Sequence, residues 1–176
     1  MNYDFLMSLS HFAFAVLSGI YAFVFPKTWV DYFFIFYLFA VTISWSSLNG
    51  ECVVTYLAKC KTDINYIPGK NVKNNDDFYI FPGVSDQTIN MILNILMIGW
   101  IIGIYIVFKR NDYPEIIAVS FMTVCLIYKF LLMTYENHHE NAEFHLYQKF
   151  VLYALIFLLF ATLYHTKIWN VEAHTS

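Results

Sequence analysis

The chain has 176 residues, of which 59% are hydrophobic and only 13% are charged. Soluble domains average roughly 45–50% apolar and about 25% charged residues, so this composition excludes an ordinary soluble domain and indicates a protein whose outer surface faces the lipid bilayer. The net charge of −3 and the single arginine, Arg110, exclude a basic nucleic-acid-binding surface.

Five apolar stretches are long enough to cross a bilayer, which takes roughly 20 residues of α-helix. Backbone amides in hydrocarbon must find their hydrogen bonds within their own segment, so each stretch is predicted to be a helix. The sequence therefore predicts an all-α fold, a polytopic transmembrane bundle of about five spans that forms a single membrane domain over the whole chain. The predicted spans run over about 5–25, 29–48, 88–108, 116–135 and 147–165.

The connections between these helices are uneven in length. A tight turn over 26–28 follows the first helix, and another over 109–114 follows the third. The polar connection 49–87 is much longer. Its first part, 51–61, is expected to continue the second helix past the membrane, whereas the remainder has the Pro, Gly and Asn composition of a loop.

Five spans divide the connections between two sides of the membrane. The loop side, as we name it, holds the N-terminus, the polar connection and the segment 136–149. The turn side holds the two tight turns and the C-terminus. The turn side packs Lys27, Lys109 and Arg110 into very short segments, while most of the acidic residues lie on the loop side. The positive-inside rule therefore predicts a cytoplasmic C-terminus.

Two further patterns concern cysteine and glycine. If the segment 51–61 is helical, Cys52 and Cys60 are separated by about 12 Å along the axis, whereas a disulfide spans at most about 7 Å between Cα atoms. A helix and a disulfide therefore exclude each other here. Gly99 and Gly103 match the small-xxx-small pattern of helix packing, within the chain or in a homo-oligomer.

Polar residues of the predicted spans are concentrated in the loop-side half of the membrane. Lys129 lies near the middle of the fourth span, where an unpaired ammonium costs at least about 2.5–3.5 kcal/mol. Glu51 and Glu136 are its natural partners by depth. The alternatives to a functional site are a structural ion pair and a lysine that snorkels along its own helix. The candidate ligand- or ion-binding residues are His11, Glu51, Asn90, Asn94, Lys129 and Glu136.

The segment 136–145 is dense in metal-type ligands. On a helix, Glu136, His139, Glu140 and Glu143 would share a face, and Glu136-x-x-His139 has the spacing found in di-iron bundles. The sequence has no second such motif, so His139, Glu140 and Glu143 are weak candidates, and neither a metal nor another cofactor is expected. The alternative is a hydrated acidic loop that senses pH through its histidines.

The least generic stretch runs from Leu48 to Lys59 and contains Gly50-Glu51-Cys52. It resembles a Gly-Glu-Cys segment of uncharacterised polytopic membrane proteins of large DNA viruses. The resemblance covers about a dozen residues of the chain. It implies a multi-pass membrane protein and carries no activity.

Three functions are compatible with these patterns. The first is a polar vestibule, open to the loop side, that binds or passes a small molecule or ion. The second is a structural or assembly protein whose polar residues only pack helices. The third is a membrane enzyme acting on a lipid, with Glu51 or His11 as the acid or base. No nucleotide-binding, haem-attachment, nucleophile-elbow or zinc-protease motif occurs in the sequence.

Overall fold

The computed structural model describes residues 3–70, 85–135 and 139–175, and it describes their side chains except at positions 3–8, 11, 86, 89, 90, 93 and 167–175. Every regular element in these ranges is an α-helix, in agreement with the predicted all-α class. The helices are α1 (Tyr3–Val24), α2 (Val30–Ser47), α3 (Val53–Thr62), α4 (Asp86–Arg110), α5 (Glu115–Thr134) and α6 (Ala142–Thr175).

Four of the long helices form a ring and the fifth packs on its outside. Contacts join α2 to α4, α4 to α5, α5 to α6 and α6 back to α2, while α1 lies along α4. Lys27 and Asp112 form an ion pair of 3.0 Å between the two tight turns, so these turns lie at the same end of the bundle. At the opposite end, the Gln148 amide donates to the Ser46 carbonyl over 2.6 Å. Consecutive long helices therefore run in opposite directions.

The centre of the ring is aromatic. Phe39 from α2, Phe108 from α4 and Phe121 from α5 are all fully buried. The ring centroid of Phe39 lies 4.4 Å from that of Phe121, and the Phe108 ring lies 6.0 Å from the Phe121 ring. Aromatic pairs at such separations add about 0.5–1.5 kcal/mol each beyond the burial of their area, so three helices share one packed core.

Three helices are long and apolar enough to cross a membrane: Val30–Ser47, Glu115–Thr134 and Ala142–Thr166. The described part of α1 adds a shorter apolar helix, Phe12–Val24. An 18-residue helix measures about 27 Å at roughly 1.5 Å per residue, close to the hydrocarbon thickness of a bilayer. The described ranges are thus compatible with a membrane protein, and the number of five spans stays a prediction.

The small residues of α4 face α1 within the same chain. A Cβ atom on Gly103 would lie 3.2 Å from the Cβ of Ala22, and one on Gly99 would lie 3.5 Å from the Gly19 carbonyl oxygen. The two backbones approach this closely because neither helix carries a large side chain at the contact. An oligomer formed through Gly99 and Gly103 would therefore have to displace α1.

The expected continuation of the second helix through 51–61 is wrong. Asn49 has a φ of 54° and Gly50 a φ of 87°, both in the left-handed region. The Gly50 N–H donates to the Trp45 carbonyl over 2.8 Å, the 6→1 bond of a Schellman cap. This cap ends α2 at Ser47, and the chain starts a separate short helix, α3, at Val53.

Two helix starts are set by polar caps. The Ser85 hydroxyl accepts from the Thr88 amide over 3.2 Å, which makes Ser85 the N-cap of α4. The Asn141 side chain accepts from the Phe144 amide over 3.0 Å. Because of this second cap, α6 begins at Ala142, five residues before the start predicted for the last span.

Candidate functional site

A buried polar site surrounds Glu51, between α2 and α3. The Glu51 side chain is only 4% exposed. Its Oε1 accepts from the Lys59 ammonium over 2.7 Å and from the Tyr66 hydroxyl over 3.0 Å, and its Oε2 accepts from the Gly69 amide over 3.2 Å. A buried carboxylate needs partners of this kind because desolvation of an unpaired charge is costly.

The chain after α3 folds back to complete this site. The Asn49 amide donates to the Pro68 carbonyl over 2.8 Å, which ties the end of α2 to the returning loop. Gly69 adopts a φ of 88°, and a Cβ atom there would lie 2.5 Å from the Cβ of Asn49. Only glycine fits this approach without strain. Residues 49–70 thus form a closed unit over the Glu51 carboxylate.

The charge state of the site follows from its contacts. Burial alone disfavours the Lys59 ammonium, but the hydrogen bond and the charge of Glu51 outweigh it and hold the pKa of Lys59 above its ordinary value. Burial, reinforced by the hydrogen bond to Glu51, also raises the pKa of the Tyr66 phenol. Lys59 is therefore an ammonium and Tyr66 a neutral donor at neutral pH.

The Glu51 site differs from the predicted vestibule in its cation. Lys59, rather than Lys129, is the partner of Glu51. Lys129 lies on α5 with its side chain partly buried, and among the described residues it makes no hydrogen bond or ion pair. Asn94 lies on α4 with an exposed side chain. No two of Glu51, Asn94 and Lys129 are hydrogen-bonded to each other.

The structure does not describe the side chains of the other three vestibule candidates. His11 lies in α1 and Asn90 lies in α4, at positions whose side chains are outside the described set. Glu136 lies outside the described residues altogether. The grouping of all six candidates around one ligand stays a prediction.

A second buried ionic site, on the turn side, was missed by the sequence reasoning. Asp31 in the first turn of α2 has a fully buried side chain. Arg110 at the end of α4 donates Nε to Asp31 Oδ2 over 2.8 Å and Nη2 to Oδ1. The Asn111 amide donates to Oδ2 over 2.6 Å, and the Tyr21 hydroxyl donates to Oδ1 over 2.8 Å.

The same guanidinium also holds the end of α1. Arg110 Nη1 donates to the carbonyl oxygens of Ala22 over 3.2 Å and Phe25 over 2.6 Å. Ala22 lies in the last turn of α1 and Phe25 directly follows the helix, where carbonyls lack intrahelical partners. Polar residues are therefore not confined to the loop-side half. The signal in the sequence was the single arginine, together with an acid inside the apolar start of a predicted span.

Comparisons with protein-family models, with curated proteins and with solved structures find no match. The roles of Glu51, Asp31 and their partners therefore rest on the geometry of this chain. The Gly50-Glu51-Cys52 tripeptide forms the turn between α2 and α3 and supplies the buried carboxylate. The resemblance of this segment to viral membrane proteins stays a prediction.

The described metal-type residues after α5 do not share a helix face, and Glu136 lies outside the described residues. His139 and Glu140 lie in a turn before α6, and Glu143 lies on α6, where its carboxylate accepts from the Tyr135 hydroxyl over 3.4 Å. Glu140 interacts with His139 over 3.4 Å. Among the described residues, no group of three or more His, Cys, Asp or Glu is placed to hold a metal ion.

The helix α3 decides whether Cys52 and Cys60 can form a disulfide. Cys52 precedes α3 and Cys60 lies within it, and neither forms a disulfide. About 12 Å of helix axis separates them, which exceeds the reach of a disulfide. The disulfide reading is therefore wrong for this conformation.

Proposed function

We propose that this chain is a multi-pass membrane protein of the structural or assembly class, in which buried ionic groups fix the helices rather than bind a ligand. The observation that carries the proposal is the saturation of Glu51, the strongest acidic candidate for a ligand site. Its two oxygens are occupied by Lys59, Tyr66 and the Gly69 amide, all from the same chain. A carboxylate held by three internal donors has little capacity left for a ligand.

Two further observations support this proposal. Asp31 is likewise saturated, by Arg110, Asn111 and Tyr21. Large apolar side chains are exposed along the outer faces of the long helices, as on Phe33, Phe130 and Phe157. Exposed apolar side chains of this kind suit contact with lipid acyl chains. In the proposed membrane arrangement the C-terminus is cytoplasmic, on the basis of the lysines and arginine of the tight turns.

A double-mutant cycle on Glu51→Gln and Lys59→Met in detergent tests the structural role. We expect each single change to lower the midpoint of thermal unfolding. The double variant should be less destabilised than the sum of the two, with a coupling of roughly 1–3 kcal/mol. Additive effects of the two changes would contradict the structural role of the pair.

The second candidate function, a vestibule that binds a small molecule or ion, is favoured by one observation. Lys129 is a partly buried ammonium on an apolar helix and makes no hydrogen bond or ion pair with the described residues. A cation in that position attracts an anionic group or water. Lys129→Met therefore separates the two functions, with Lys149→Met on the exposed surface of α6 as the matched control.

Native mass spectrometry of the purified protein provides the measurement. A bound anion that is present in the wild type and in Lys149→Met, but absent in Lys129→Met, would establish the vestibule and overturn the structural proposal. Identical spectra for all three proteins, with no bound small molecule, would support the structural proposal.

A further inference from the structure

The segment from Val53 to Lys70 comprises α3 and the returning loop. In it, polar side chains point toward the protein and apolar side chains point outward. The faces of α3 that point inward carry Thr55, which is buried, and Lys59, which is paired with Glu51. Val53, Val54 and Leu57 point outward, with Leu57 56% exposed. These three side chains span about 100° of the helix circumference. A helix bathed in water normally shows the opposite arrangement.

The returning loop also carries exposed apolar side chains. Ile64 is 90% exposed and Ile67 is 52% exposed. Neither residue belongs to a helix that is long enough to cross a membrane. The hydrocarbon core that covers the outer faces of the long helices therefore does not account for them. Five exposed apolar side chains thus lie within 15 consecutive residues, and an apolar patch of this density marks an interaction surface.

Charge and position identify what covers this patch. Lys61 and Lys70 are exposed within or next to it, against the single exposed carboxylate of Asp63. The segment begins six residues after Ser47, the last residue of α2. It therefore lies at the level where a spanning helix leaves the membrane. An apolar face edged by lysines at this level fits the boundary between acyl chains and anionic headgroups.

We propose that Val53–Lys70 is an interfacial anchor that lies on the loop-side surface of the membrane. Leu57, Ile64 and Ile67 enter the headgroup boundary, and Lys61 and Lys70 contact lipid phosphates. The Glu51–Lys59 pair holds the segment in this orientation by keeping the polar face turned inward. The proposal rests on the membrane placement given under the proposed function.

Lipid quenching of a fluorophore on the full-length protein tests the anchor. Single-cysteine variants at Leu57, Ile64, Thr62 and Phe157, with Cys52, Cys60 and Cys125 replaced, are labelled with a bimane dye. They are then reconstituted in vesicles of phosphatidylcholine with or without phosphatidylglycerol. Thr62 is exposed on the opposite arc of α3 and serves as the matched control. Phe157 is 72% exposed within a candidate span and reports insertion.

We expect shallow spin-labelled lipid to quench the dye at 57 and 64 about twofold more than at 62, with the difference larger in phosphatidylglycerol vesicles. Replacing Lys61 and Lys70 by Gln should remove the phosphatidylglycerol dependence. Quenching at 157 by lipid spin-labelled deep in the acyl chain, without excess shallow quenching at 57 and 64, would overturn the anchor and leave the membrane placement intact. Absence of deep quenching at 157 would overturn the membrane placement itself. Quenching at 57 that depends on the protein-to-lipid ratio would show that a second copy covers the patch, which also overturns the anchor.

Discussion

Asp31 and Arg110 are 79 residues apart in the chain, yet they form a side-on ion pair in which both carboxylate oxygens accept from the guanidinium. The pair joins the start of α2 to the end of α4, and the spare guanidinium nitrogen binds the last carbonyls of α1. Three helices therefore meet at one buried charge. A bidentate pair of this kind fixes the relative rotation of the helices as well as their separation.

Asp31→Asn should be among the most damaging single substitutions in the chain. It leaves the guanidinium of Arg110 buried beside a neutral amide, and removal of one partner from a buried pair costs about 3–5 kcal/mol. Lys27→Met provides the control, because the Lys27–Asp112 pair is about half exposed and such pairs contribute roughly 0–1 kcal/mol. Thermal unfolding in detergent measures both. Equal destabilisation by the two substitutions would contradict the assigned difference between the pairs.

The Glu51 site should weaken at alkaline pH. The pKa values of Lys59 and Tyr66 are both raised, above ordinary values of 10.5 and 10.0. A group whose pKa is raised on folding adds stability that is fully present below its ordinary value. That stability is lost as the pH rises through the folded value. The free energy of unfolding should therefore fall above about pH 10, where the unfolded chain begins to lose these two protons while the folded protein still holds them.

This alkaline loss should depend on the ion pair. The double variant Glu51→Gln/Lys59→Met should lose less stability than the wild type between about pH 9.5 and 11.5, because Lys59 no longer titrates. Lys149→Met changes an exposed lysine on α6, outside the site, and should keep the wild-type dependence. Parallel curves for the double variant and the wild type would show that the site does not contribute.

The sequence predicted the long helices and their alternating direction because apolar length is a strong signal. It did not predict the break between α2 and α3, because that break depends on two left-handed residues, Asn49 and Gly50, in a polar segment that can also be helical. The earlier start of α6, at Ala142, was not predicted for a related reason. A single Asn141 cap extends the helix beyond its apolar part.

The grouping of the candidate site residues stays a prediction. Glu51 was selected as a ligand-binding candidate and as a partner for Lys129, but in the described structure its carboxylate pairs with Lys59 instead. The partner could not be chosen by depth along a straight helix, because α3 and the loop fold back and bring Lys59 and Tyr66 to the carboxylate. The pairing of Asp31 with Arg110 was not predicted, because the match of these two residues depends on the packing of α2 against α4.

Gly103 should tolerate a larger side chain less well than Gly99. A Cβ atom at 103 already approaches Ala22 to 3.2 Å, so Gly103→Val would push α1 away from α4. Overpacking of this kind costs about 1–3 kcal/mol. At Gly99 the nearest atom is 3.5 Å from the Cβ position, which is an ordinary contact, so Gly99→Ala should be close to neutral.

Unfolding and size measurements on the same samples separate intrachain from interchain packing. We expect Gly103→Val to unfold at a lower temperature without a change of oligomeric mass by light scattering. Adding Ala22→Gly should restore part of the stability, because it reopens space at the contact. A change of mass with unchanged stability would mean that these glycines pack between chains instead.

The side-chain amide of Gln148 should stabilise the loop-side end of the bundle, where α6 contacts α2. Its Nε2 donates to the Ser46 carbonyl over 2.6 Å, and its Oε1 lies 3.1 Å from Nδ1 of His145. Gln148→Leu keeps most of the side-chain volume but leaves the carbonyl at the end of α2 without this donor. Loss of a partner for a buried polar group costs about 1–3 kcal/mol.

Gln87→Leu, at an exposed position in the first turn of α4, is the control and should cost little. Amide hydrogen exchange should then show faster exchange at the start of α6 in Gln148→Leu alone. Wild-type exchange there would mean that the Ser46 carbonyl finds another donor and that this bond does not join α6 to α2.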